Sequence, residues 1–311
     1  APEQLGAMQA LAAALDLVGA TLLAILLARL GIDPRRSVAV AWSPIGALHF
    51  AHSAHNDSAM IAALLAGVLL LTSRRRVGAM AALAAAVMIK LVPLLGVPSF
   101  ARAAGTRALA VAAALCVLVT LPFLSAGSAL VAGALSESGQ EFNSSVHLLI
   151  ARAVGLIAPR VAEMIASGVC GVIIVVATLL LAWRSDGSPR AVMVATLRAL
   201  GAYVLLAPIV EPWYLTWLAP LTAVALVRGR LLPFLLSDSL AWLWLGGIAT
   251  LTDLTYLPGG TGLWPAIRLA EYGPVYLLLL ALALHKVRQN EAAHDPYPQA
   301  EGTTGANHLR A

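Results

Sequence analysis

The stretch Ala54-His55-Asn56-Asp57-Ser58 decides how this chain is read. It sets an imidazole, an amide and a carboxylate side by side between two apolar segments. Those segments, Val38 to Phe50 and Ala59 to Leu71, contain no Asp, Glu, Lys or Arg. Polar groups at membrane depth are costly, so an ionisable residue between membrane segments marks a functional site by default. The alternative is a polar turn that merely joins two helices. The rest of the chain bears on the choice.

Of the 311 residues, 60% are hydrophobic and 11% are charged, with a mean hydropathy of +0.86. A soluble domain carries roughly 25% charged residues, so this is an integral membrane protein. Several apolar runs reach the ~20 residues a bilayer-crossing helix needs. The alternating polarity of transmembrane barrels is absent, so the spans are helices. The expected fold is all-α, a polytopic transmembrane bundle with short broken hairpins. Residues 1–285 form that domain, and residues 286–311 are polar, without an apolar period, and read as a disordered cytoplasmic tail. No charged leader precedes a short apolar core, so no signal peptide is expected.

The net charge of +5 is almost all arginine, with lysine only at Lys90 and Lys286. These basic residues sit in short loops between spans, so they report membrane orientation rather than nucleic-acid binding. Cys116 and Cys170 lie in apolar runs and read as small core hydrophobes, not as a disulfide or metal site. The Ala-rich, Arg-over-Lys composition fits a high-GC bacterium.

A first span, Leu5 to Leu30, carries Asp16 and ends at Arg29. Arg35-Arg36 and Arg74-Arg75-Arg76 then bracket the hairpin around His55-Asn56-Asp57. By the positive-inside rule both clusters are cytoplasmic, and the apex points to the extracytoplasmic side. Each arm is about 14 residues, or roughly 21 Å, shorter than the ~30 Å hydrocarbon core. The apex is therefore expected to lie recessed in a protein-lined cavity.

Val77 to Phe100 repeats the pattern, with Lys90, Pro93 and Pro98 in its interior and Arg102 and Arg107 beyond. Proline breaks a helix by removing a backbone donor and clashing with the preceding turn. Lys90 then falls close to His55-Asn56-Asp57. The competing reading is one long span with a snorkelling lysine; the central position of Lys90 favours the broken hairpin.

Further spans are expected at Ala108 to Leu124, Val161 to Trp183, Ala191 to Pro208, Leu215 to Val227, Leu231 to Leu251 and Pro265 to Leu284. Ser125 to Pro159 reads as an external loop with an interfacial helix near Val146 to Leu156. Thr252 to Trp264 reads as a second external loop, carrying Asp253 and Tyr256. This alternation puts His55-Asn56-Asp57, Lys90, Glu211-Pro212-Trp213-Tyr214 and Asp253 on one side. Arg152 and Arg160 fall on that side too, against the rule.

A cavity lined by His55, Asn56, Asp57, Lys90, Glu211, Trp213 and Tyr214 has definite competences. A carboxylate, Asp57 or Glu211, can act as general base toward a hydroxyl. A lysine suits a phosphate. Aromatic rings offer flat faces to sugar or lipid. No Gly-rich phosphate loop is present, so a sugar donor here would be lipid-linked. Other readings stand beside these. Trp213 and Tyr214 sit where an aromatic belt is expected anyway. His49, His52 and His55 recur every three residues and could line one helix face as metal ligands. Asp16 and Asp33 read as structural, Asp33 in the turn before Pro34.

Trp42-Ser43-Pro44, Ala54-His55-Asn56-Asp57, Arg74-Arg75-Arg76, Lys90-Leu91-Val92-Pro93 and Pro212-Trp213-Tyr214-Leu215-Thr216-Trp217 resemble, in order and spacing, the motifs of bacterial GT-C superfamily glycosyltransferases. The similarity is to the polyprenyl-phosphate-mannose-dependent mannosyltransferases and spans about Asp16 to Trp217. It implies an inverting, multi-span transferase. Such an enzyme moves a sugar from a polyprenyl phosphate carrier to a glycan or glycolipid acceptor on the outer face. By resemblance His55, Asn56, Asp57 and Lys90 line the donor and acceptor site, Lys90 at the donor phosphate, with Trp213 and Tyr214 bordering the lipid or acceptor groove. Ser43 replaces the family's usual Asn. The family's general base is an Asp on a first external loop after an earlier span. Glu3 is the only acidic residue in the first fifteen positions, so that span and loop are expected to be missing: either the chain is truncated or the base is another residue, such as Asp57 or Glu211.

The expected function is thus a membrane hexosyltransferase, of the mannosyltransferase type, in the cell envelope. Its partners are a polyprenyl-phosphate-linked sugar, a glycan or glycolipid acceptor and membrane lipid, with no nucleic acid. No cofactor is expected, and a divalent metal stays open. The rival is a transporter or flippase, because broken hairpins with midplane polar residues also mark transporters.

Overall fold

A computed structural model of the chain describes residues 2–41, 43–129, 132, 145–225, 238–255 and 264–293. Helix α1 runs over Pro2–Arg29. A 3-10 turn at Pro34–Ser37 follows, capped by the Asp33 carboxylate, which accepts from the Arg35 amide. Two short helices, α2 (Val38–Ala41) and α3 (Pro44–Gly46), lead into a π-helical turn at Ala47–His52. Then come α4 (Asp57–Thr72), α5 (Arg76–Ile89), a 3-10 turn at Val92–Gly96, α6 (Val97–Ala104) and α7 (Thr106–Thr120). The second half holds α8 (Val146–Gly155), α9 (Ala162–Arg184), α10 (Pro189–Leu206), a 3-10 segment at Pro212–Trp217, α11 (Ala219–Ala225), α12 (Asp238–Thr255) and α13 (Trp264–Ala293).

Prolines punctuate this order. Pro34, Pro44, Pro98, Pro189 and Pro212 each stand in the first turn of a segment, where the missing N–H is no loss and the fixed φ suits a helix. Among the described residues four helical stretches are long and apolar enough to cross a bilayer: Gln4–Arg29, Thr106–Ala126, Pro159–Arg184 and Pro189–Leu206. The outer faces of two of them present Val117, Leu118, Val172, Val176 and Trp183. Exposed apolar side chains of this kind are what lipid contact requires.

Helix α4 is the centre of the bundle. It packs against α1, α5 and α10 and buries Met60, Leu64, Leu65 and Val68. Leu23, Leu26 and Leu27 of α1 and Phe100 of α6 close the same core. At Gly67 a Cβ would lie 3.1 Å from the Ala79 carbonyl oxygen, so α4 and α5 approach at backbone distance there.

The chain before α4 is bent by 117° relative to it. The depth of that bend follows from α1. Arg29 donates to Thr72 and Ser73 at the far end of α4, Gly19 faces Ile61, and Gln9 donates to the His52 carbonyl. Helix α4 has 16 residues, about 24 Å, against about 42 Å for α1. The apex therefore lies well inside the length of α1, as the short arms predict.

Several boundaries differ from the sequence reading. Val38 to Phe50 is not one arm but a series of short turns, because Pro44 cannot continue the helix begun at Val38. Leu215 to Val227 does not begin as one α-helix: its start belongs to the 3-10 segment, α11 covers Ala219–Ala225, and Leu226 and Val227 lie outside the described residues. Asp253 is not in a loop but inside α12, while Tyr256 lies outside the described residues, as do residues 133–144 of the loop expected over Ser125 to Pro159. Helix α13 continues through Ala293, past the expected start of the tail at Lys286; residues 294–311 lie outside the described residues.

Candidate functional site

Asp57 is the first residue of α4, and Lys90 follows the last residue of α5. The two helices form an antiparallel hairpin, so the start of one and the end of the other meet at the same end. Lys90 itself is extended (φ −154°, ψ 137°), because Pro93 lies ahead and the helix cannot run on. Its Nζ reaches Asp57 Oδ1 at 2.8 Å. The Asp57 side chain is fully enclosed, and that of Lys90 is 26% exposed. The pair thus has an inner partner sealed in protein and an outer partner open to whatever enters.

The 3-10 segment Pro212–Trp217 roofs the pair. A 3-10 helix has three residues per turn, so residues i and i+3 eclipse. Tyr214 and Trp217 therefore share a face and stack, with centroids 4.1 Å apart and planes at 22°. Lys90 Nζ lies 4.7 Å from the Tyr214 centroid and 4.9 Å from that of Trp217. A ring face attracts a cation most strongly where water is excluded. Trp217 Nε1 also donates to Asp57 Oδ1, so one carboxylate oxygen takes two donors. The other, Oδ2, is buried with no hydrogen-bond partner among the described residues.

A second aromatic group adjoins the first. His55 stacks on Trp213, centroids 4.4 Å apart at 30°, and His49 lies 5.0 Å from the same indole. The π turn at Ala47–His52 and the left-handed backbone at Ala54 (φ 58°) turn the chain to permit this. An L-residue with a β-carbon held there marks a site worth a functional hypothesis. Trp213 and Tyr214 meet edge to face at 6.0 Å, so the two groups form one continuous aromatic wall.

Of the residues singled out from sequence, Asp57, Lys90 and Tyr214 lie in direct contact, and His55 and Trp213 form the adjoining stack. Asn56 is exposed at the apex and does not cap its helix. Glu211 opens the roof segment and is half-buried. The three-residue spacing of the histidines does not hold one face, because the π turn has more residues per turn. His49 and His55 flank Trp213 while His52 is exposed. Among the described residues no three His, Cys, Asp or Glu groups gather to hold a metal. Trp217 stands in the quoted motif, but the sequence reading gave it no role. Its i+3 relation to Tyr214 behind Pro212 was the available signal.

Residues 4–107, one third of the chain, match the family model described as alpha-(1->6)-mannopyranosyltransferase, N-terminal domain, of the MptA_B family. No curated protein and no solved structure matches the chain. The matched part contains Asp57 and Lys90 and ends before the roof segment. The bundle that carries the Asp57–Lys90 pair is thus similar, over its first third, to a mannosyltransferase domain, and this supports a glycosyltransferase.

Proposed function

We propose that this chain is a membrane glycosyltransferase. It moves a hexose, mannose by the family similarity, from a polyprenyl phosphate carrier to a cell-envelope glycan or glycolipid on the extracytoplasmic face. The observation that carries the reading is the Asp57–Lys90 pair. A single lysine is held at the inner end of a recessed apex, under two aromatic rings, within the part that resembles a mannosyltransferase domain.

The acceptor hydroxyl oxygen bonds to the anomeric carbon as the bond from that carbon to the phosphate oxygen breaks. The electron pair leaves with the polyprenyl phosphate, and the acceptor proton passes to a carboxylate. Lys90 places positive charge where the leaving phosphate gains negative charge, the most effective location for electrostatic stabilisation. Asp57 holds Lys90 there, and Trp217 holds Asp57. Asp57 is enclosed and its Oδ1 is already occupied, so it acts as a positioning residue. Glu211, half-buried at the start of the roof, takes the proton. The His55–Trp213 and Tyr214 faces carry the sugar or the first isoprene units.

The test is transfer of labelled mannose from polyprenyl-phosphate mannose into cell-envelope membranes by the reconstituted chain. Label in a glycan or glycolipid with the parent, and none with Lys90→Ala of intact helicity, supports the reading. Equal transfer by both removes Lys90 from the site.

A further inference from the structure

The end of the bundle opposite Asp57 carries Arg29, Arg74, Arg75 and Arg76 around the turn from α4 to α5. Arg74 adopts a left-handed conformation (φ 56°), and the turn sends its arginines in two directions. Arg74 and Arg76 border one concavity, with Thr72, Ala103, Gly187 and Pro189. Arg75 borders another, of about 400 Å³, with Arg29 and Ser73 at its rim and Ala66, Leu69 and Leu70 along its floor.

This second concavity has two chemistries. Its floor is the outward face of α4, where Ala66 leaves a groove between larger neighbours. Its rim brings two guanidinium groups from separate elements together. Arg29 is oriented by its bonds to Thr72 and Ser73. Among the described residues neither Arg29 nor Arg75 is ion-paired to a carboxylate. The nearby Asp33 is engaged by Arg35 at 2.9 Å. Two cations on a rim, above an apolar groove at the end of a membrane-spanning bundle, complement a phosphate ester with an acyl chain beneath it. Arginine forks suit phosphate oxygens bidentately. The geometry points to a binding site for an anionic phospholipid, its phosphate between Arg29 and Arg75 and an acyl chain along Ala66, Leu69 and Leu70. The site is independent of the transferase reading, and it lies at the far end of the helix whose first residue is Asp57.

Native mass spectrometry of the full detergent-purified chain tests this, with phosphatidylglycerol, phosphatidylcholine and inorganic phosphate as probes. Phosphatidylglycerol should be retained over phosphatidylcholine and should survive millimolar inorganic phosphate. Arg29→Gln/Arg75→Gln should bind it about tenfold or more weakly. Arg107→Gln/Arg184→Gln, which removes as much charge from neither rim, should bind as the parent does. Ala66→Phe fills the floor while keeping every charge, and it should also lose the lipid. Equal retention by the first double variant, equal binding of phosphatidylcholine, or displacement by inorganic phosphate would each overturn the proposal; the last would mean a free-phosphate site.

Discussion

The two ends of the bundle each hold an aspartate against a cation at almost the same length. Asp57–Lys90 measures 2.8 Å and Asp33–Arg35 measures 2.9 Å. The similarity ends there. Asp33 and Arg35 are two residues apart, the arginine is exposed, and the pair closes a local turn. Asp57 and Lys90 are 33 residues apart and come from two helices, and Trp217 donates to the same carboxylate oxygen. An exposed pair gives up little water and gains little. A buried carboxylate has given up its water entirely and depends on the donors supplied by protein. Distance alone does not distinguish a solvated turn from a site; burial and the separation of the partners along the chain do.

The largest expected effect breaks the buried pair. Lys90→Ala leaves Asp57 enclosed with one donor fewer and should lower stability by about 3 kcal/mol, read as a drop in thermal midpoint. Transfer should fall on the order of 100-fold or more. The double variant Asp57→Asn/Lys90→Met removes both charges. Most of the stability should return, but none of the transfer. Recovery of activity in the double variant would mean that the pair is structural only.

Glu211→Gln separates the two carboxylates. Sugar transfer should fall by about 100-fold or more while donor binding is unchanged. A loss of donor binding of the same size would place Glu211 with the donor instead of the acceptor proton.

Beneath the roof, Gly201 on α10 receives the indole of Trp242, and a Cβ there would collide with the ring. Overpacking of a rigid ring costs about 1–3 kcal/mol. Gly201→Ala should therefore destabilise the protein by that amount, measurable by denaturant unfolding in detergent. An unchanged midpoint would show that α12 moves freely against α10. The smallest effect belongs to the exposed pair: Arg35→Ala should leave both the midpoint and the transfer rate where they are.

Much of this was legible in the sequence because of its prolines and charges. The short apolar run Ala59 to Leu71 between arginine clusters pointed to an apex inside the length of α1, and the broken Val77 to Phe100 put Lys90 near Asp57. Pro93 showed that α5 could not carry Lys90 onward. The roof was harder to read. Pro212 to Trp217 runs straight into the apolar stretch after it, and periodicity cannot tell a 3-10 turn from the start of an α-helix over six residues. So Trp213 and Tyr214 were read as one pair, whereas the three-residue turn pairs Tyr214 with Trp217 and sends Trp213 to His55. The three histidines part for a related reason, since a three-residue spacing lines one face only on a regular helix and Ala47–His52 is a π turn. The enclosure of Asp57 beneath Lys90 was outside sequence reach because burial is a property of the packed bundle.

The most direct measurement is native mass spectrometry of the purified chain with polyprenyl-phosphate mannose, the parent beside Asp57→Asn/Lys90→Met. Both are expected to be folded, so stability does not confound the result. The parent should retain the donor and the double variant should lose it. Equal retention by the two would contradict the assignment of Lys90 to the donor phosphate.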